Sequence, residues 1–349
     1  MNIIAFMSRR FDYFREIIPQ VISPEFRIIP IDFYELLSKF DKNKAFDELG
    51  LFWDSFLSSS HCDALWSYNL PDEQTIFKCK QYGVPMLIQE FYGHFPEKLP
   101  AIIPMDMDFT KHYGLNTDEN TGPDKKKSPV VITVALGVVP YSDGYSIPST
   151  ISRNKSDGKV PISSFWKNDA LIVSNLNFIA SIFTIFENTP ELSDCLLRVR
   201  IHPKYPEYFA DEINYVRKLN NPAVVIDDIP NPLQALESSD IVICIDSNFG
   251  FDALRTGCEV INYGGKAFYG NPQLTFSPKN PGEFQKNLME AVGRIRKQGK
   301  RIKPFIAPFI RDLKTTMSCP CEKPYDIEKV KNSLRYALSI PLINQEKSL

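Results

Sequence analysis

Three short stretches offer anion-binding groups, two of them directly after apolar runs of strand length. Ser247-Asn248-Phe249-Gly250 follows the run Ile241–Asp246 and leads into helix-forming residues that stop at Gly257. That turn offers a hydroxyl, backbone N–H groups and a helix N-terminus at the carboxyl end of a strand, where α/β folds bind ligands and the helix dipole favours an anion. His202-Pro203-Lys204 closes the run Leu196–Ile201; an imidazole can donate to a phosphate or a base, and a lysine supplies a point charge. Asn231-Pro232, before the helix Pro232–Ser238, gives a third possible binding turn. Each also has an ordinary reading, as a glycine-containing turn of a βαβ unit or a histidine that hydrogen-bonds its own fold. The chain has no GxGxxG and no GxxxxGK[ST], which leaves a dinucleotide fingerprint and a P-loop unsupported. A nucleotide-sugar site without metal fits best, with His202, Lys204, Asn231, Ser247, Asn248, Gly250 and Phe251 as the candidate binding residues.

The acids lie in the first third of the chain. Glu90 directly follows the run Val84–Gln89, which sets it at a strand's carboxyl end; Asp106 and Asp108 follow Ala101-Ile102-Ile103. Two carboxylates flanking a glycosidic carbon can act as acid/base and as nucleophile or stabiliser of an oxocarbenium-like state. Solvated loop acids are the ordinary alternative. His94 and His112 are further candidates for proton transfer, but each stands alone.

These residues need a frame, and the chain supplies one twice. Strand-like runs at Asn2–Phe6, Arg27–Ile31, Cys62–Tyr68 and Val84–Gln89 alternate with helix-like Arg9–Ile18, Lys44–Leu57 and Pro71–Tyr82, the rhythm of a parallel sheet with crossover helices. Glu90 to Asn120 breaks the rhythm and reads as irregular. Polar Thr121–Ser128, with Gly and Pro, reads as a linker. The rhythm then resumes with strands at Val130–Leu136, Leu196–Ile201, Ala223–Asp227, Ile241–Asp246 and Glu259–Tyr263, and helices at Asn168–Asn188, Tyr208–Lys218 and Pro232–Ser238. The fold class expected is α/β, two Rossmann-like doubly wound domains facing a cleft. An acceptor and catalytic domain spans 1–124 and a nucleotide-sugar domain spans 129–310. A helical tail, 311–349, packs back on the first.

Composition narrows the function classes. At 349 residues, 43% hydrophobic and 23% charged, the chain can bury two cores. A net charge of −2 with no basic face argues against nucleic acid as a partner. The seven cysteines are scattered, and Cys319 and Cys321 lack the second pair of a zinc knuckle, so no metal site is expected. No apolar run reaches membrane-spanning length and the N-terminus has no signal-peptide pattern, so the expectation is a cytoplasmic protein.

Several stretches together resemble the bacterial capsule-polysaccharide synthesis proteins that include retaining β-Kdo transferases. SNFGFDALRTGCEVINYGGKAFY (Ser247–Tyr269) is similar to the family's serine, GFEAL-type helix start, strand and PFY-like turn. Asn231–Leu236 and His202-Pro203 resemble its Asn-containing helix start and HP dipeptide. VVPYSDGYSI (Val138–Ile147) resembles the segment with an acidic pair before Ser-Ile. VPMLIQEFYG (Val84–Gly93) looks like the strand ending in EDGF, and IIPMD (Ile102–Asp106) like the run ending in an aspartate. The resemblance implies a GT-B glycosyltransferase with no cofactor, CMP-Kdo as donor and a glycan or glycolipid acceptor. It implies peripheral contact with the inner membrane or other glycan-assembly enzymes. It carries over Asp106 as nucleophile, Glu90 as acid/base, and His202, Ser247 and the Gly250 backbone as CMP ligands, with Asp108 a rival to Asp106. The chain departs from the pattern where Asp252 replaces Glu, where Tyr92-Gly93-His94 replaces Arg-Ser, and where Gly270-Asn271-Pro272-Gln273 stands in place of Trp-Gly.

Two other readings stay open. A UDP-sugar-dependent GT-B transferase or epimerase would differ in nucleotide preference. A catalytically silent GT-B-like binding subunit would tolerate loss of Glu90 and Asp106.

Overall fold

The computed structural model describes residues 1–8, 13–40, 45–68, 73–93, 97–114, 129–136, 175–202, 209–245, 247–263, 271–278, 280–320 and 323–343. The expected linker, the Val138–Ile147 segment, His94, Lys204 and the PFY-like turn lie outside these residues.

The N-terminal sheet holds β1 (Asn2–Ser8), β2 (Phe26–Asp32), β3 (Ala64–Tyr68), β4 (Met86–Tyr92) and β5 (Leu99–Pro104) in the order β2-β1-β3-β4-β5. The first four are parallel and β5 is antiparallel to β4. The inner strands are apolar on both faces because helices or the tail cover both, as the burial of every residue of Ala64–Tyr68 shows. On helix Ala45–Ser60, Leu49, Trp53 and Leu57 recur every fourth residue and form the buried stripe against the sheet. Gly83, at a φ of 67°, ends helix Glu73–Tyr82, a turn that a Cβ would strain.

The second sheet holds β6 (Val131–Ala135), β7 (Leu196–Arg200), β8 (Val224–Ile226), β9 (Ile241–Cys244) and β10 (Glu259–Asn262), all parallel, in the order β10-β9-β6-β7-β8. Its strand order reverses between β6 and β9, and ligands of such sheets bind outside the carboxyl ends at that point. Two doubly wound, Rossmann-like domains are therefore present, the plan of a GT-B protein.

Three elements differ from expectation. The stretch after Glu90 is not irregular: it forms β5 and the short helix Phe109–Tyr113. Pro100 and Pro104 hide β5 in the sequence, because proline is excluded from central strands but tolerated at a sheet's outer strand. Helix Ile306–Lys314 is likewise hidden by Pro308, which its first turn accommodates. The domain boundary expected between 310 and 311 falls inside that helix.

The C-terminal helices contact the N-terminal sheet. Helix Ile327–Ser339 is capped by Asp326, which accepts from the Lys329 N–H at 3.0 Å, and buries Val330, Leu334 and Ala337 among Ile4, Phe6, Tyr13 and Trp66. Burying the valine and leucine alone contributes about 1.5–3 kcal/mol each. Gln89, buried inside β4, accepts from Trp66 Nε1 at 3.1 Å and donates to Tyr13 Oη at 2.6 Å and to Cys319 Sγ at 3.1 Å. Tyr13 in turn donates to the Pro320 carbonyl at 2.8 Å. The tail also lines the outer side of β5: Ile102 N–H donates to Met317 O, Cys319 N–H to Pro100 O, Asp108 N–H to Pro341 O and Ile343 N–H to Asp106 O.

Candidate functional site at the domain seam

The turn after β9 is built as a helix start. Ser247 is the N-cap of helix Asn248–Arg255, its Oγ accepting from the Phe249 N–H at 3.3 Å. The Gly250 N–H is already committed to Ser247 O at 2.8 Å, so it is not the open amide the sequence suggests. The Asn248 N–H has no acceptor among the described residues. Phe251 is fully buried, its ring 6.4 Å from Tyr92 and 6.2 Å from Phe309. Its side chain therefore packs in the core and does not face a ligand. Asn231 caps helix Pro232–Glu237, accepting from Leu233 N–H at 2.9 Å.

Two strands away, His202 lies partly buried just past the end of β7. The side chain that joins the two turns is Arg200, the last residue of β7. Its Nη1 donates to Asp227 Oδ2 at 2.7 Å and to Ile229 O at 2.9 Å, and its Cζ sits 5.4 Å from the centre of the Phe249 ring. The signal for it was present in the alternation LLRVR: charges at Arg198 and Arg200 inside a buried strand are costly unless each has partners. Arg198, one pleat below, has its partners in Thr133 Oγ1, Ser238 Oγ, Ser239 Oγ and Ala235 O.

In the first domain the acids part company. β4 runs on to Tyr92, so Glu90 sits within the strand, opposite Ala101 of β5, and not after its end. It is partly buried and shares a face of β4 with Tyr92. Because β5 is antiparallel, Pro104 lies opposite Leu87, and Met105 N–H bonds Met86 O at the start of β4. Asp106 thus emerges at the opposite end of β4 from Tyr92, about 10 Å or more from Glu90 along the strands. There it pairs with Lys80, Oδ1 to Nζ, at 3.3 Å. One anomeric carbon cannot sit between Glu90 and Asp106 in this arrangement. Asp108 is a capping residue: it accepts from the Lys111 N–H and from Gln273 Nε2, both at 3.0 Å. Burial pushes its carboxyl up, but those hydrogen bonds outweigh burial and hold it below the usual range. His112, partly buried, bonds Tyr336 Oη at 3.1 Å and lies 3.8 Å from Asp312, both in the C-terminal helices.

The domains meet along one continuous apolar seam. Tyr92, Ala101, Ile103, Met107 and Phe109 from the first pack with Val242, Phe251, Leu254 and Val260 from the second, and Ile306, Phe309 and Leu313 fill between them. Polar contacts close both ends. Gly93, at a φ of 75°, approaches the second domain so closely that a Cβ there would lie 2.8 Å from Asp252 Oδ1. At the other end Asn271 Nδ2 donates to Met107 O at 2.7 Å, and Gln273 Oε1 accepts from Phe109 N–H at 2.7 Å.

Residues 173–293, which contain β7 to β10 and the Ser247 turn, match the family model described as capsule polysaccharide biosynthesis protein. The match covers about a third of the chain. The match takes in Arg200, His202, Asp227, Asn231 and the Ser247-capped helix, so the matched segment includes the carboxyl ends of β7 and β9. No curated protein matches the sequence. Among solved structures, the chain is similar to the Thermosulfurimonas dismutans KpsC β-Kdo 2,4 transferase at 15% identity, with a TM-score of 0.35 and coverage of 88% of this chain and 89% of that one. The β-Kdo 2,7 transferase of the same KpsC gives 14% identity and a TM-score of 0.37, covering 79% and 83%. A UDP-GlcNAc 2-epimerase from Methanocaldococcus jannaschii gives 10% identity and a TM-score of 0.32, covering 90% and 99%. Among the described residues no helix is long and apolar enough to cross a membrane.

Proposed function

We propose that this chain is a glycosyltransferase of capsule polysaccharide synthesis that moves Kdo, or a related ulosonic acid, from a CMP-sugar to a glycan or glycolipid acceptor. The observation that carries the reading is the Ser247-capped helix at the strand-order reversal between β6 and β9, inside the family-matched segment. The Asn248 N–H and the helix dipole suit the single phosphate of CMP, and His202, past the end of β7, is the second polar group assigned to the donor. In transfer the bond between the anomeric carbon and the phosphate oxygen breaks, with its electron pair leaving on CMP. The acceptor oxygen bonds to that carbon and its proton passes to a base. Glu90 takes the base role, because it lies on the face of β4 that carries Tyr92 onto Phe251. Transfer with retention through a covalent adduct needs a second carboxylate on the opposite side of the sugar, and neither Asp106 nor Asp108 is so placed. The working place of such an enzyme is the cytoplasmic face of the inner membrane, where a CMP-sugar meets a lipid-linked glycan.

The test is calorimetric titration of the full chain with CMP and with UDP, followed by CMP release from CMP-Kdo generated in situ. CMP binding and release of CMP that depends on added acceptor support the proposal. Binding of UDP in preference to CMP sinks the donor assignment in favour of a UDP-sugar transferase or epimerase. CMP binding without any turnover favours a silent binding subunit.

A further inference from the structure

Arg198 and Arg200 project from the same face of β7, two residues apart, and differ in one respect. Arg198 is wholly engaged: its Nε, Nη1 and Nη2 each donate to a hydroxyl or carbonyl oxygen of the protein. Arg200 is only half engaged. The residue is 7% exposed, and its Nη1 holds Asp227 and Ile229, while Nε and Nη2 have no acceptor among the described residues. A guanidinium that dry keeps open donors only where an anion or water can reach them.

Its surroundings fix where those donors lie. The Asp227 side chain is 0% exposed, and its second oxygen accepts from the Ile229 N–H at 3.1 Å, so the carboxylate cannot swing away. The Arg200 Cζ lies over the Phe249 ring, 5.4 Å from its centre, and Phe249 belongs to the helix that Ser247 caps. Asp227, directly after β8, therefore holds one edge of Arg200, and Phe249 of the helix after β9 packs against it. The open edge is held beside the helix start at the carboxyl edge of the sheet. A planar fork of fixed orientation matches the two oxygens of a phosphate or a carboxylate, which an ammonium group cannot do.

We propose that Arg200 reads an oxyanion of the nucleotide-sugar donor as a bidentate ligand, and that Asp227 is its positioning residue. This rests on the donor site proposed above. The oxyanion has two possible sources, the phosphate of CMP and the carboxylate of an ulosonic acid.

The experiment is calorimetry on the full chain, wild type, Arg200→Lys, Arg200→Gln and Asp227→Asn, with cytidine, CMP, UDP and CMP-Kdo generated in situ. Melting temperature serves as the fold control. The expected result is a loss of about 10-fold or more in affinity for the anionic ligand in Arg200→Gln, and a smaller loss in Arg200→Lys, which keeps the charge but not the fork. Asp227→Asn gives an intermediate loss that Arg200→Gln absorbs in the double variant. If CMP affinity falls while cytidine is unaffected, the phosphate is the oxyanion. If CMP is unaffected and CMP-Kdo weakens, it is the carboxylate. Should wild type bind UDP in place of CMP, the donor reading fails and Arg200 is judged on UDP by the same variants. Should Arg200→Gln fail to fold, Arg200→Lys, which keeps the cation beside Asp227, carries the answer. Unchanged affinity of folded Arg200→Lys for every ligand, or a wild type that binds none of them, overturns the inference.

Discussion

Gln273 and Asp108, separated by 165 residues, meet at 3.0 Å and together cap one short helix. The Gln273 Oε1 accepts from the Phe109 and Thr110 N–H groups while Asp108 accepts from that of Lys111, so a side chain of the second domain completes a helix start of the first. Gln273→Leu leaves those amides without their acceptor in a largely dry seam. The expected cost is about 1–3 kcal/mol, read as a lower urea midpoint. An unchanged midpoint would show that water replaces the amide and that the contact is incidental.

Gly93 is a second point where the seam fixes a residue type. A side chain there would combine a left-handed backbone at a φ of 75° with a Cβ 3.1 Å from Phe251 Cδ1 and 2.8 Å from Asp252 Oδ1. Asp252 is itself buried beside Arg255, with 3.6 Å between the charges, so it has little room to yield. Gly93→Ala is expected to destabilise by about 1–3 kcal/mol, seen by thermal melting. Gly83→Ala, at a similar φ but with nothing within 4 Å, should cost less, and equal losses would mean that strain alone and not the close approach decides.

Acidification should loosen the seam before it unfolds the sheets. Burial holds the His112 imidazole below its ordinary value, against the opposing pull of Asp312, with Tyr113 and Tyr336 as its other neighbours. The unfolded chain therefore takes the proton first. The stability this group contributes is complete above an ordinary histidine pKa of 6.5 and is lost as pH falls through the lower folded value. Asp108, also held low, adds a further loss in the acid carboxylate range. Melting temperatures measured from about pH 7.5 to about pH 5.5 should fall in wild type and fall less in His112→Gln. Parallel curves would remove His112 from the account.

The carboxylates make opposite predictions. Glu90→Gln should lower CMP release from the donor by about 100-fold or more, the usual range for loss of a general base. Asp106→Asn should leave turnover close to wild type, because its partner is Lys80 at the far end of β4. If Asp106→Asn abolishes turnover and Glu90→Gln does not, the site lies at the other end of the sheet.

The parallel sheets were legible because their strands are uninterrupted apolar runs and their helices end at residues such as Gly83 and Gly257. β5 and helix Ile306–Lys314 were not, since proline reads as a breaker unless it falls on an outer strand or in a helix's first turn, which the local sequence does not show. Ser247 and Asn231 were legible as helix starts. The roles of Gly250, Phe251 and Asp108 were not, because whether an amide, a ring or a carboxylate faces a ligand or its own fold depends on contacts far along the chain. The same holds for Glu90 and Asp106: nothing local shows that β5 runs antiparallel and carries Asp106 away. Arg200 was visible only as an oddity of strand composition. The departures from the family pattern at Gly93, Asp252 and Gln273 prove to be seam contacts, each touching the other domain.

The cover over the outer side of β5 bears on how the protein is made. Pro100 and Ile102 are hydrogen-bonded by Met317 and Cys319, and Gln89 of the adjoining strand bonds Cys319 from 230 positions downstream. A ribosome will have finished both sheets before it delivers the residues that close the first one. Until then the N-terminal sheet presents an unpaired edge and half of a core to the cell. The order of synthesis thus runs against the order of closure, and the N-terminal domain cannot be expected to survive as a fragment, or to be exchanged between relatives, without the segment from 306 to 343.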